Sequence, residues 1–157
     1  AMVVDADGLN ALAGAEFSGA GKVRVLTPHP GEMARLLGRK MGDRVADARQ
    51  IAMSGAVVLV LKGQRTLVAF PDGMVWVNPT GTPAMGTGGS GDILTGLMAG
   101  LLAQAKDDVR AAVLGAVWLH GRAGELAAQE LGEQCVIAGD LLLYLPEAMD
   151  ECRPHAV

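Results

Sequence analysis

The chain has 157 residues, of which 50% are apolar and 3% aromatic, and a formal net charge of −4. That length suits one domain, and an aliphatic, aromatic-poor composition suits helices packed on a buried sheet of Ala, Val, Leu and Met. The acidic balance without a Lys/Arg cluster excludes nucleic-acid binding by phosphate neutralisation, and the absence of an 18-residue apolar run excludes a helical membrane span.

Cys135 and Cys152 have no metal-ligand spacing, and two cysteines make no disulfide framework. With no signal-peptide pattern, the sequence reads as a cytoplasmic protein with reduced thiols. Met2, Val3 and Val4 form a short strand that ends in Asp5-Ala6-Asp7-Gly8, where an α/β sheet places its ligand loops. A helical turn is expected over residues 9–13. Residues 23–26 make a second strand, stopped by Thr27-Pro28-His29-Pro30-Gly31.

The prolines impose extended backbone, so the next helix should begin at Gly31 or Glu32 and close at Gly38. His29, between Pro28 and Pro30, should project from the surface. Asp43 caps another helix, whose apolar stripe of Val45, Ala48, Ala52 and Met53 runs to Gly55. The apolar run 57–61 reads as a central parallel strand. Lys62 and Arg65 follow at its carboxyl end and could neutralise a di- or triphosphate, although a solvated strand end would look the same. Residues 66–70 and 74–77 alternate about Pro71-Asp72-Gly73 as a hairpin.

The glycine-rich turn Gly86-Thr87-Gly88-Gly89-Ser90-Gly91-Asp92 leads into an apolar helix that runs to about residue 105, with Leu94, Leu97, Met98, Leu101 and Leu102 on its buried face. Between Asp72 and Lys106 the only charged side chain is Asp92. Glycines let amides approach an anion, and a helix start favours phosphate. A dinucleotide-binding G-x-G-x-x-G should follow its strand at once, whereas Pro79 and Pro83 intervene here, and a Walker loop needs a lysine where Asp92 stands. What remains is an anion cradle of Gly88, Gly89, Ser90 and Gly91 beside an acid able to take a proton from a nucleophile. A plain helix start with Asp92 stabilised by the macrodipole is the alternative.

Asp107 or Asp108 caps a helix that carries Val109, Val113, Ala116, Val117 and His120 to about Ala128, with His120 a helix-face residue. Trp76 and Trp118 are packing residues. A last helix from Gly139 or Asp140 should be shortened or distorted by Pro146, and the tail beyond Asp150, with His155, should be loose. The strand ends predict that the loops 27–32, 62–66 and 86–92 meet at the carboxyl edge of an α/β sheet.

Together, Asp5-Ala6-Asp7-Gly8-Leu9-Asn10, Thr27-Pro28-His29-Pro30-Gly31-Glu32, Lys62-Gly63 and Asn78-Pro79-Thr80-Gly81 leading into residues 86–96 resemble the NAD(P)H-hydrate dehydratase family of the ribokinase-like superfamily. The resemblance runs in order through nearly the whole chain. It implies a layered ribokinase-like, Rossmann-like α/β fold with a mostly parallel sheet and flanking helices, in which residues 1–157 are the C-terminal portion of the domain. Family members carry further strands and a glycine-rich substrate loop before the region of Asp5, so an exposed sheet edge and a homo-oligomer that covers it are expected.

The activity implied is dehydration of the S form of hydrated NADH or NADPH, driven by ADP, or by ATP in eukaryotic members, with Mg2+ assisting. Carried over by position, Lys62, Gly63, Gln64, Arg65, Thr66 and Gly91 would contact the nucleotide, and His29 and Asp92 the hydrate, with Asp92 as the base. The family usually has Asn and Gly where Thr82 and Ala84 stand. Two other readings are a ribokinase-like small-molecule kinase, whose product keeps the phosphoryl group, and an inactive nucleotide-binding assembly module.

Overall fold

Every strand of the sheet is three or four residues long and made almost wholly of Val, Leu and their like. Strands covered on both faces need that composition. The computed structural model describes residues 1–19, 21–105 and 107–153. Its strands, β1 (Met2–Val4), β2 (Arg24–Leu26), β3 (Val58–Leu61), β4 (Leu67–Ala69) and β5 (Val75–Val77), stand side by side in chain order. β1, β2 and β3 are parallel, while β4 and β5 return antiparallel as the expected hairpin. The sheet is therefore mixed, three parallel strands extended by a hairpin, because a short turn after Ala69 can only bring the chain back antiparallel.

The pleat sorts β3 between two cores. Val58 and Val60 join Val25, Val68 and Phe70 against α4 (Ser90–Gln104) and α5 (Val109–Leu131), through Leu94, Met98, Val113 and Val117. Leu59 and Leu61 face α1 (Asp7–Leu12), α2 (Pro30–Leu37) and α3 (Arg44–Gly55), through Leu9, Met33, Ala48 and Ala52. Helices thus cover both faces of the sheet in three layers. α6 (Ala138–Asp150) packs outside this sandwich on α5, with Leu141 and Ala148 fully buried. No helix among the described residues is long and apolar enough to cross a membrane.

Local chemistry sets the helix ends. Gly38 closes α2 in the left-handed region at φ 67°. The Asp43 carboxylate accepts the Ala46 amide at 2.8 Å to open α3, and Asp108, rather than Asp107, does the same for Ala111 at 2.9 Å at α5. α2 starts at Pro30, one residue before the expected boundary, since proline suits the first helical position. α1 likewise lies two residues earlier than expected, and α5 continues to Leu131. α4 opens at Ser90, which places Asp92 in its first turn. Leu97 and Leu101 are only half-buried, because α4 meets α6 as well as the sheet there.

Two expectations about the C-terminal region are corrected. α6 passes through Pro146 without ending, held by the burial of Leu141 and Ala148 on either side of it. The segment beyond Asp150 is anchored through Arg153, since both oxygens of Glu151 accept from the Arg122 guanidinium at 2.7 Å and the amides of Cys152 and Arg153 bond back into the helix end. His155 lies outside the described residues.

Pro146 leaves the Leu142 carbonyl without its helical donor. Pro146→Ala should therefore raise stability in urea denaturation by roughly 1–3 kcal/mol. A neutral or unfavourable change would mean that α6 is broken at that residue.

Candidate functional site

Parallel strands send their carboxyl ends to one edge, and the segments leaving β1, β2 and β3 are tied together there. Thr27 donates its amide and its hydroxyl to the Val4 carbonyl at 3.1 and 3.2 Å, and the Lys62 amide donates to Pro28 O at 2.8 Å. The Lys62 ammonium then reaches Asp5 Oδ1 at 2.7 Å, and Thr95 Oγ1 of α4 donates to Asp5 Oδ2 at 3.0 Å. Glu32 Oε2 lies 4.0 Å from the same ammonium. Burial pushes the Asp5 carboxyl up, but the Lys62 ammonium, the Ala6 amide and the Thr95 hydroxyl outweigh it and hold Asp5 below the usual carboxylate range.

His29 is half-exposed, as its loop setting predicts, and it is also the N-cap of α2. Its Nδ1 accepts the amides of Gly31 and Glu32 at 3.0 and 3.4 Å, while Glu32 Oε2 takes the His29 amide at 2.7 Å. This is a capping box with histidine in the serine position. As an acceptor of two amides, Nδ1 carries no proton, so the ring can donate only through Nε2.

The glycine turn closes the edge from above. Gly89 takes φ 92° to start α4, and the amides of Gly89, Gly91 and Asp92 have no hydrogen-bond partner among the described residues. Orphan donors at a helix N-terminus are a geometry able to receive an anion. Gly91 lies close against the pair of Lys62 and Asp5: a Cβ there would sit 3.3 Å from Lys62 Nζ and 3.7 Å from Asp5 Oδ2, so the ammonium would have to shift slightly to admit it. Asp92 is exposed in the same turn.

A cavity of about 590 Å³ opens beside this turn, between the 62–66 loop, the 78–86 segment and the middle of α5. That volume lies within the range of small-ligand sites. Lys62, Gly63, Gln64, Arg65, Thr66 and Gly91, the positions expected at a nucleotide, all line it, as does Ser90. Gly88, Gly89, Asp92 and His29 are not among its lining residues. The expected meeting of the loops 27–32, 62–66 and 86–92 is thus present, but the Lys62 charge is committed to Asp5 instead of standing free.

The far wall is fastened to α5. Asn78 Nδ2 donates to Val117 O at 3.3 Å, Thr80 Oγ1 to Trp118 O at 2.9 Å, and the Gly81 amide to Glu125 Oε1 at 2.8 Å. Gly121 makes the approach possible, because a Cβ there would lie 2.8 Å from the Thr80 carbonyl carbon. Thr82 Oγ1 donates to Glu133 Oε1 at 2.9 Å, so the residue standing where the family usually has Asn still anchors its loop.

His120, expected as an ordinary helix-face residue, lines the cavity and is buried, with Nε2 2.9 Å from Ser90 O and 3.3 Å from Ser90 Oγ. Burial pushes it down to about 4, against the opposing effect of the Ser90 bond and with help from the Lys62 charge, so it is neutral at pH 7. Thr95 has one signal in the sequence, as the only polar side chain on α4 between Asp92 and Gln104. The roles of Asp5 and Glu32 have none of their own, since their partners lie far apart in sequence. Cys135 and Cys152 are free and exposed, and no group of three or more His, Cys, Asp or Glu placed to hold a metal occurs among the described residues.

The sequence profile of the NAD(P)H-hydrate dehydratase family matches residues 1–147. A bifunctional NAD(P)H-hydrate repair enzyme of Moorella thermoacetica is 53% identical over 150 residues, which cover 92% of this chain and 28% of that protein. The ADP-dependent (S)-NAD(P)H-hydrate dehydratase of Bacillus subtilis is 43% identical over 126 residues, covering 78% of this chain and 45% of that one. This chain therefore spans less than half the length of either. A crystal structure of the ADP/ATP-dependent NAD(P)H-hydrate dehydratase from Bacillus subtilis, co-crystallised with ATP/Mg2+, superposes with a TM-score of 0.88 at 39% identity, covering 96% of this chain and 55% of that chain. Phosphofructokinase-2 of Escherichia coli, at 19% identity and a TM-score of 0.55, shares the ribokinase-like fold alone.

The buried His120 makes stability depend on pH. Its folded pKa is depressed to about 4 from 6.5, so its contribution is complete above pH 6.5 and is lost as pH falls towards 4. His120→Gln should remove about 3 kcal/mol of the wild-type fall in unfolding free energy over that window. Parallel denaturation series of the two proteins check this, and identical pH profiles would contradict it.

Proposed function

We propose, for a chain that belongs to the NAD(P)H-hydrate dehydratase family, that it carries the nucleotide site and the catalytic base of an ADP- or ATP-dependent dehydratase that repairs (S)-hydrated NADH and NADPH. One observation carries the reading: the unpartnered amides at the start of α4 face the same edge as the Lys62 loop and Asp92, beside a cavity of nucleotide size. In this proposal Lys62, Gly63, Gln64, Arg65, Thr66 and Gly91 bind the nucleotide, and the amides of Gly88, Gly89, Ser90 and Gly91 receive its terminal phosphate, the Ser90 amide giving up its 3.4 Å bond to Thr87 O. His29 and Asp92 contact the hydrate.

Hydroxide is a poor leaving group, and phosphorylation converts it into a good one. Asp92 takes the proton from the substrate hydroxyl as its oxygen bonds to the terminal phosphorus and the bond to the nucleotide breaks. The ring nitrogen lone pair then expels phosphate, and loss of a proton from the neighbouring ring carbon restores the dihydropyridine. The cradle amides meet charge that grows on the transferring group. Mg2+, when bound, neutralises phosphate charge. Among the described residues no group of three or more His, Cys, Asp or Glu stands ready to hold the ion, and Mg2+ needs only one or two protein carboxylates besides phosphate oxygens and water, so it would arrive with its nucleotide.

The same reading places the protein in the cytoplasm, where free exposed thiols stay reduced.

Incubation with hydrated NADPH, ADP and Mg2+ should restore reduced-nicotinamide absorbance with stoichiometric phosphate release. Asp92→Asn should lower turnover by about 10²-fold or more while ADP still binds. A phosphorylated product that accumulates would instead indicate a kinase, and ADP binding without turnover an assembly module. Undiminished turnover in the variant would sink the role given to Asp92.

A further inference from the structure

The polar chain behind Gly91 joins elements that the reaction needs held at a fixed spacing. Asp5 divides its carboxylate between two of them, with Oδ1 taking the Lys62 ammonium at 2.7 Å and Oδ2 the Thr95 hydroxyl at 3.0 Å. Thr95 lies one helical turn beyond Gly91 and Asp92, on their side of α4. On the other side of the ammonium stands Glu32, 4.0 Å away, whose Oε2 also holds the amide of His29. The path therefore runs without a break from the turn that carries Asp92 to the loop that carries His29. Asp5, Glu32 and Lys62 are 11%, 7% and 19% exposed, so these contacts act in a weakly screened setting.

We propose that Asp5 is a positioning residue: it fixes the first turn of α4 against the Lys62 loop and keeps the Lys62 charge compensated until nucleotide phosphate is in place. This inference rests on the nucleotide and base roles proposed for Lys62 and Asp92. Two carboxylates surround one ammonium, so the resting cluster carries a net negative charge. Phosphate is then drawn by the cradle amides and Arg65, and not by an unpaired lysine that would also hold product. Thr95 has the mechanical part, because its bond sets the rotation of α4 about its own axis.

The two parts separate in mutants. Asp5→Asn is nearly isosteric and removes one negative charge beside Lys62, so ADP should bind roughly five- to tenfold more tightly, with the gain shrinking as salt rises. Thr95→Val should lower stability and leave ADP affinity unchanged, and Thr95→Ser should restore the stability. In urea denaturation, Asp5→Asn and Thr95→Val should be non-additive, since Asp5→Asn weakens the charge-assisted hydrogen bond that Thr95→Val removes.

Calorimetric ADP titration and denaturation of the four variants and the wild type read all of this without turnover. Unchanged or weaker ADP binding by Asp5→Asn overturns the proposal, as does additivity of the two substitutions. A merely structural Asp5 would weaken binding in step with stability. Wild type that binds no ADP contradicts the nucleotide reading instead, and the additivity of the stability changes then decides the role of Asp5 alone. Should Asp5→Asn not fold, the threonine pair decides: ADP affinity that falls with stability in Thr95→Val overturns the proposal, and constant affinity supports it.

Discussion

An ammonium and a carboxylate withdrawn from water each lose several kcal/mol of solvation, and their attraction offsets that loss only where further hydrogen bonds complete both groups. Lys62 and Asp5 meet under those conditions. The ends of β1 and β3 bring them to 2.7 Å, Thr95 satisfies the second carboxylate oxygen, and Glu32 stands on the far side of the ammonium. Four elements supply the four groups, so the arrangement exists only in the folded chain. It is also what gives the carboxyl edge of the sheet a defined shape, since the loop after β3 and the start of α4 have no other side-chain tie to one another through β1 among the described residues.

Close approach supplies the second constraint. The backbone of Thr80 lies where a side chain at position 121 would stand, whereas at position 91 a Cβ would press only on the Lys62 ammonium at 3.3 Å. Glycine at position 121 lets the far wall of the cavity close on α5. Beside it, the neutral His120 holds the first turn of α4 through the Ser90 carbonyl, an acceptor that favours a proton on Nε2. The first turn of α4 is thus gripped from two directions, by Asp5 through Thr95 and by α5 through His120, and its unpartnered amides point from a fixed frame.

Much of this frame was legible in the residues. Short apolar runs marked the strands, Asp43 and Gly38 marked helix ends by their own chemistry, and Pro71-Asp72-Gly73 marked the hairpin. The positions 62–66 and 91, which the family resemblance assigns to a nucleotide, line one cavity. What escaped depends on partners distant in sequence. His120 looks like any helix residue until Ser90, thirty positions away, is placed against it, and Asp5 gains its role from Lys62 and Thr95, 57 and 90 positions on. Pro146 misled for a related reason: intrinsic helix breaking was read from the local chain, whereas packing of Leu141 and Ala148 on α5 decides the outcome. The strand order also hid its mixed character, because a run such as 57–61 records burial and not the direction of its neighbours.

In the proposed function, adenine nucleotide occupies the cavity between the Lys62 loop and α4 with its phosphates on the helix amides. Amide chemical-shift mapping of isotope-labelled protein during ADP–Mg2+ titration locates the bound nucleotide. Saturable shifts concentrated at Gly63, Gly89, Gly91, Asp92 and Gly121 are expected. Shifts confined to the opposite edge of the sheet near Lys22 and Arg24, or none at saturating ADP, would contradict that placement.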